Sequence, residues 1–133
     1  MPRILIVDDT DFDRNLLKNI LVSGGYDIAG LASGGEEGIR LYRELIPDLA
    51  MLDLIMPDLN GIDTLRRIRE EYPDARVMLC TSVGEVGMVD LARRLGAKGY
   101  VVKPYQASHL LKAVEKIVGP PSQNKGLSWS KSS

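Results

Sequence analysis

Leu49-Ala50-Met51-Leu52-Asp53-Leu54-Ile55-Met56-Pro57-Asp58-Leu59-Asn60-Gly61 holds an apolar run with one carboxylate inside it, then a proline and a glycine. The run over 49–55 is too short for a core helix. It is apolar at nearly every position, as a strand buried on both faces must be. Pro57 has no N–H for a ladder and stops the strand, while Gly61 permits a close backbone approach where the next helix starts. Four more runs have this character, at 4–7, 26–32, 76–82 and 100–103. Helical stripes separate them. Phe12, Leu16, Leu17, Ile20 and Leu21 mark the first, which stops near Gly24-Gly25. Ile39, Leu41, Tyr42 and Ile46 mark the second, ended by Pro47; Ile62, Leu65, Ile68 and Tyr72 mark the third, ended by Pro73. Met88, Val89, Leu91, Ala92 and Leu95 mark the fourth, ended by Gly96. Leu110, Leu111, Val114, Ile117 and Val118 mark the fifth, ended by Gly119-Pro120-Pro121. Strict alternation of strand and helix predicts right-handed crossovers and a five-stranded, doubly wound parallel α/β sheet covered on both faces. In such folds the chemistry gathers at the carboxyl ends of the strands.

A chain of 133 residues, 44% hydrophobic, is long enough to bury one core without disulfides or a structural metal. Its 17 basic and 18 acidic residues give a net charge of -1, which offers no electrostatic case for nucleic acid. The lone Cys80 excludes an internal disulfide framework and suits a reducing compartment. The apolar start is too short for a signal peptide or a membrane span, so no membrane insertion and a cytoplasmic location are expected. Residues 1–119 form the expected domain, and 120–133 a polar, disordered tail or appended remnant with no room for an output domain. Leu127 and Trp129 could make that tail a short docking peptide.

The first strand ends in Asp8-Asp9, the third in Asp53, the fourth in Thr81-Ser82 and the fifth in Lys103-Pro104. As neighbours in one sheet, these strands bring three carboxylates, a hydroxyl and an ammonium to one rim. Two unit charges ~4 Å apart repel by about 4 kcal/mol at an effective dielectric of 20, so such a cluster needs a cation. Carboxylate and carbonyl oxygens are hard ligands, and with no cysteine-histidine set the natural cation is Mg²⁺. Singly, each residue has an ordinary explanation. Asp8-Asp9 or Thr81 could cap a helix, Asp53 could be any loop carboxylate, and Lys103 could snorkel at the surface. Together they are harder to explain so, because four separate strands would each have to end in a complementary group.

The pattern Asp-x-x-Met-Pro-x-x-x-Gly at Asp53, with Val7-Asp8-Asp9 upstream and Lys103-Pro104 downstream, resembles the receiver domains of two-component response regulators. The resemblance runs from residue 3 to about 118 and implies a flavodoxin/CheY-like strand order of 2-1-3-4-5, an order that comes with the family and of which CheY is itself a standard example. It further implies that Asp53 is the phosphoacceptor, and that Asp9 binds Mg²⁺ directly with Asp8 acting largely through water. Asp53 and the backbone carbonyl of Ile55 would complete the protein's share of the metal site. Thr81 corresponds to the switch hydroxyl, Lys103 to the ammonium that neutralises a phosphoryl oxygen, and Tyr100 to the aromatic switch. A sensor histidine kinase would supply the phosphoryl group. The active form would act through a downstream protein that docks on the face of the fourth helix, fifth strand and fifth helix. Such a chain catalyses its own phosphorylation and slow dephosphorylation but is not an enzyme with a separate substrate. The stretches 80–85 and 96–108 resemble stand-alone CheY-type chemotaxis regulators more than DNA-binding ones. An intermediate that passes phosphate to a histidine phosphotransfer protein is the alternative role.

Two neighbours qualify the motif. Ile55 and Val83, two residues after Asp53 and Thr81, are apolar and cannot orient an attacking water. Slow self-dephosphorylation and a partner phosphatase are therefore expected. Ile55 also stands where aspartyl-phosphate hydrolases carry a second, acid/base Asp, which disfavours that enzyme class. A flavodoxin-like FMN carrier is disfavoured because Asp8-Asp9-Thr10-Asp11 would repel a phosphate. Ser33-Gly34-Gly35-Glu36-Glu37-Gly38 lacks the lysine of a phosphate loop and reads as a helix start, with Ser33 near the cap. His109 is expected on the surface, Cys80 as a small buried hydrophobe, and Arg66, Arg67, Arg69, Glu70 and Glu71 as a solvated face. Gly84 and Gly87 weaken the fourth helix, as suits an element that must shift.

Overall fold

The computed structural model describes residues 2–121. The tail with Leu127 and Trp129, and the side chain of Val83, lie outside the described residues. Five strands alternate with helices: β1 (Arg3–Val7), α1 (Asp11–Ser23), β2 (Asp27–Ala32), α2 (Gly35–Leu45), β3 (Leu49–Asp53), α3 (Gly61–Glu71), β4 (Val77–Thr81), α4 (Val89–Arg94), β5 (Gly99–Val102) and α5 (Ala107–Val118). A 3₁₀ helix, Val83–Met88, precedes α4. All pairings are parallel, in the order β2-β1-β3-β4-β5. The doubly wound sheet expected from the alternation is present.

Successive side chains of a strand point to opposite faces, so each central strand feeds two cores. Leu5, Val7, Ala50, Leu52 and Leu79 pack with Ile39, Tyr42, Leu65 and Ile68 from α2 and α3, and with Ala92 from α4. Ile4, Ile6, Met51, Met78 and Cys80 pack with Leu17 and Leu21 from α1 and with Leu110 and Val114 from α5. β3 and β4 are buried along their whole length. That burial places the central strand ends, and the residues just beyond them, in one rigid rim.

Several expectations need correction. The third strand stops at Asp53 instead of running to Ile55, which turns out of the sheet and is 57% exposed. Strands at the two edges are not buried on both faces, since in β2 only Ala32 and in β5 only Val101 is fully covered. Phe12, assigned to the apolar stripe of α1, sits in its first turn and is 76% exposed. Ile46 does not face the core but caps α2 in a left-handed conformation, with φ of 41°. The fourth helix is shorter than its stripe. Gly84 and Gly87 lie in the 3₁₀ segment with open space around them, and of the stripe Met88 and Leu91 stay exposed while Ala92 is buried. Without side chains, those glycines give the chain nothing to pack as an α-helical turn.

Ser33 lies beside the α2 cap, as expected, and donates from its N–H and hydroxyl to the Glu37 carboxylate. Gly34 stands at the cap, and the first amides of the helix, Gly35 N–H and Glu36 N–H, donate to the Asp58 carboxylate at 3.1 Å each. The loop after β3 thus supplies the cap for α2. Arg69 is not part of a solvated face: it donates to the carbonyls of Pro73 and Ala75, and its side chain lies against Gly96. His109 is exposed and Cys80 buried, as expected.

Candidate functional site

Register explains why the strand ends meet. Val7 pairs with Leu52, so Asp8 and Asp53 emerge side by side. Asp53 pairs with Cys80, placing Thr81 one step further, and Thr81 pairs with Val102, placing Lys103 next. The Leu54 N–H donates to the Cys80 carbonyl at 3.0 Å and the Lys103 N–H to the Thr81 carbonyl at 2.7 Å, which carries the alignment past the strands. Four of the residues singled out in the sequence are therefore neighbours by sheet geometry.

Asp8 and Thr81 are almost wholly buried, and Asp53 is 8% exposed. Asp9 is more open to solvent. Carboxylate oxygens of Asp8, Asp9 and Asp53 lie within 4.8 Å of one another. The Lys103 ammonium approaches Asp8 Oδ2 at 3.1 Å and Asp53 Oδ1 at 3.3 Å. Burial first, and the Asp8 charge second, push the Asp53 carboxyl up to about 7, against the pull of Lys103. Burial works against the charged form of Lys103, but the hydrogen bond to Asp13 and the charges of Asp53 and Asp8 hold its pKa above the usual lysine range. A carboxylate at such a pKa, surrounded by two others, is short of positive charge. Three hard oxygen donors at this spacing fit a divalent cation of the Mg²⁺ kind.

Gly61 closes the site from below. A Cβ there would stand 2.5 Å from the Asp53 carbonyl oxygen and 2.8 Å from Leu54 Cα, and the Gly61 N–H donates to the Leu54 carbonyl at 2.7 Å. The tight approach read from the motif is met by backbone on both sides. Ile55 lies beyond it, exposed and apolar. Tyr100 points outward, 42% exposed, beside a cavity of about 180 Å³ lined by Leu79, Val89 and Ala92.

Three residues of the site were missed in the sequence. Thr10 donates to Asp8 Oδ1 from both its N–H, at 3.0 Å, and its hydroxyl, at 3.2 Å, and its oxygen also caps α1. Arg14 donates to the Asp8 carbonyl at 2.6 Å. Asp13 accepts a hydrogen bond from Lys103 at 3.1 Å. The signal was the density of charge in Asp8-Asp9-Thr10-Asp11-Phe12-Asp13-Arg14, which continues past the motif onto the first turn of a helix.

The doubly wound sheet carries an acidic rim and one lysine at its carboxyl end. The chain belongs to the response regulator receiver domain family, whose pattern matches residues 4–115. It is 42% identical over 115 residues to the chemotaxis protein CheY of Thermotoga maritima, covering 86% of this chain and 96% of that protein. A Bacillus subtilis relative named protein CcdB is also 42% identical, over 119 residues, with 90% and 99% covered. Among solved structures, a chain of the CheX-CheY-BeF3-Mg²⁺ complex of Borrelia burgdorferi superposes with a TM-score of 0.83 at 33% identity, covering 86% of this chain and 87% of that one. Receiver domains bind Mg²⁺ at an acidic pocket and interact with histidine kinases and downstream targets. No helix among the described residues is long and apolar enough to cross a membrane.

Proposed function

We infer that this chain is a phosphorylation switch of the chemotaxis type, taking a phosphoryl group on Asp53 from a sensor histidine kinase and changing its affinity for a partner protein. The observation that carries this reading is the Asp53 carboxylate, buried beside Asp8 and within 3.3 Å of the Lys103 ammonium. Asp53 is the nucleophile: one of its oxygens forms the new P–O bond as the bond to the leaving group breaks. Lys103 takes up part of the charge on the transferred group. Asp8, Asp9, Asp53 and the Ile55 carbonyl would hold Mg²⁺, which supplies neutralising charge at the same oxygens when bound. Thr81, buried at the end of β4, would donate its hydroxyl to a phosphoryl oxygen in place of the Ser82 carbonyl it now meets at 3.2 Å.

Movement of Thr81 would let Tyr100 turn inward from its exposed position on β5, re-shaping the α4-β5-α5 face for a downstream protein. The apolar cavity beside Tyr100 leaves room for such a change. Apolar residues at 55 and 83 leave no side chain to orient water against the acyl phosphate, which gives slow decay and a role for a phosphatase. The likeness to CheY proteins over nearly their full length supports a chemotaxis output over a relay. The test is incubation with Mg²⁺ and a small phosphodonor, then mass spectrometry of wild type and Asp53→Asn. One phosphoryl adduct is expected on the wild type and none on the variant; no adduct on the wild type defeats the reading.

A further inference from the structure

The Lys103 ammonium has three N–H donors, and three carboxylates stand around it. Asp8 Oδ2 is at 3.1 Å, Asp13 Oδ2 at 3.1 Å and Asp53 Oδ1 at 3.3 Å. Asp8 and Asp53 belong to the strand-end motif, but Asp13 does not. It comes from the first turn of α1, where the N-cap Thr10 Oγ1 accepts from the Asp13 N–H at 3.4 Å and fixes that turn. The nearby Arg14 does not serve Asp13. Its guanidinium donates to the Asp8 carbonyl and to Asp11, so among the described residues Lys103 is the cation paired with Asp13. The lysine side chain is only 18% exposed and that of Asp13 29%, which keeps water from fully screening the pair.

We propose that Asp13 is a positioning residue that holds Lys103 from the α1 side and thereby slows uptake of an anionic phosphoryl donor by Asp53. The proposal rests on Asp53 being the phosphoacceptor. A phosphoryl group arriving at Asp53 needs a donor from Lys103, and Asp13 occupies one of the three. Its charge also adds a fourth carboxylate to the rim formed by Asp8, Asp9 and Asp53, opposing the approach of a dianion. With acetyl phosphate, the Asp53 oxygen forms the P–O bond while acetate leaves with the electron pair of the broken bond. No proton or electron is left over. Asp13 touches none of the reacting atoms and acts only through the lysine and its own field.

The experiment compares wild type, Asp13→Asn and Asp13→Glu. Phospho-Asp53 formation with Mg²⁺ and acetyl phosphate is followed by quenched mass spectrometry. In parallel, the Lys103 Nζ is observed by ¹⁵N NMR in the metal-free proteins. Asp13→Asn keeps the size of the side chain and removes its charge, and is expected to phosphorylate roughly 3- to 10-fold faster, in line with loss of one partly buried charge pair. Asp13→Glu is expected near the wild-type rate. The Nζ signal is expected to shift, and its protons to exchange faster with water, in Asp13→Asn alone. Equal or slower phosphorylation of Asp13→Asn, or a gain shared by Asp13→Glu, overturns the role of Asp13 while leaving Asp53 as phosphoacceptor. An unchanged Nζ signal overturns the ion pair. Absence of any adduct on the wild type defeats the phosphoacceptor reading, and this proposal with it.

Discussion

Lys103 Nζ stands 3.3 Å from Asp53 Oδ1, and among the described residues it is the cation paired with that carboxylate. The pairing crosses from β3 to the loop after β5, fifty positions along the chain, and it exists only because β4 lies between them. Lys103→Met keeps the length and removes the charge. The rate of Asp53 phosphorylation by a small donor is expected to fall by roughly 100-fold, the usual loss for one fixed donor at a developing charge. Quenched mass spectrometry measures it.

Asp53 also sets a pH dependence of stability. Its carboxyl is raised from 3.8 to about 7, chiefly by burial. Between those values the folded chain keeps a proton that the unfolded chain has lost. Stability of the metal-free protein therefore falls as pH rises through that window and levels off above it. Asp53→Asn removes the dependence, and near pH 8 it is expected to be more stable than wild type by roughly 2–4 kcal/mol. Urea unfolding at pH 5 and pH 8, in the presence of a chelator, checks both the sign and the window. A wild type more stable at pH 8 than at pH 5 would contradict it.

Gly61→Ala places a methyl group against two backbone segments, with contacts of 2.5 Å to the Asp53 carbonyl oxygen and 2.8 Å to Leu54 Cα. Neither can step aside as a side-chain tip could. A loss of roughly 2–4 kcal/mol is expected from thermal or urea unfolding. Phosphorylation should slow as well, because the displaced atoms belong to Asp53 and to its neighbour Leu54.

The proposed slow decay of phospho-Asp53 rests on the apolar residues at 55 and 83. Ile55 is exposed beside the site, so a polar side chain there reaches solvent without repacking. Ile55→Asn combined with Val83→Glu is expected to shorten the half-life of phospho-Asp53 by roughly 10-fold or more, as a positioned polar group commonly does for attacking water. Decay followed after removal of the donor tests this, and an unchanged half-life would remove the link between these positions and slow hydrolysis.

The buried central elements were the most legible. β1, β3 and β4 have continuous apolar runs because both of their faces meet helices, and their burial bears that out. Edge strands and helix ends were less so. Phe12, Ile46, Met88 and Leu91 carry the same hydrophobic signal as core residues, yet all four are exposed. Periodicity records which residues could be buried; whether a neighbour arrives to cover them depends on packing. Likewise, Ser33 has the chemistry of a helix cap, but Asp58 from another loop holds the first amides of α2.

From the sequence by itself came the alternation of strands and helices, and Asp8, Asp9, Asp53, Thr81 and Lys103 as the groups at strand ends. Those depend on local pattern, because turn residues and apolar spacing are written along the chain. Tertiary structure alone decided how the charges are shared. Asp13, four residues beyond the motif's second carboxylate, meets Lys103 only when α1 packs against the sheet and turns its first residues over the rim. Charge pairing depends on distance in space, and ninety positions of chain separate these two residues.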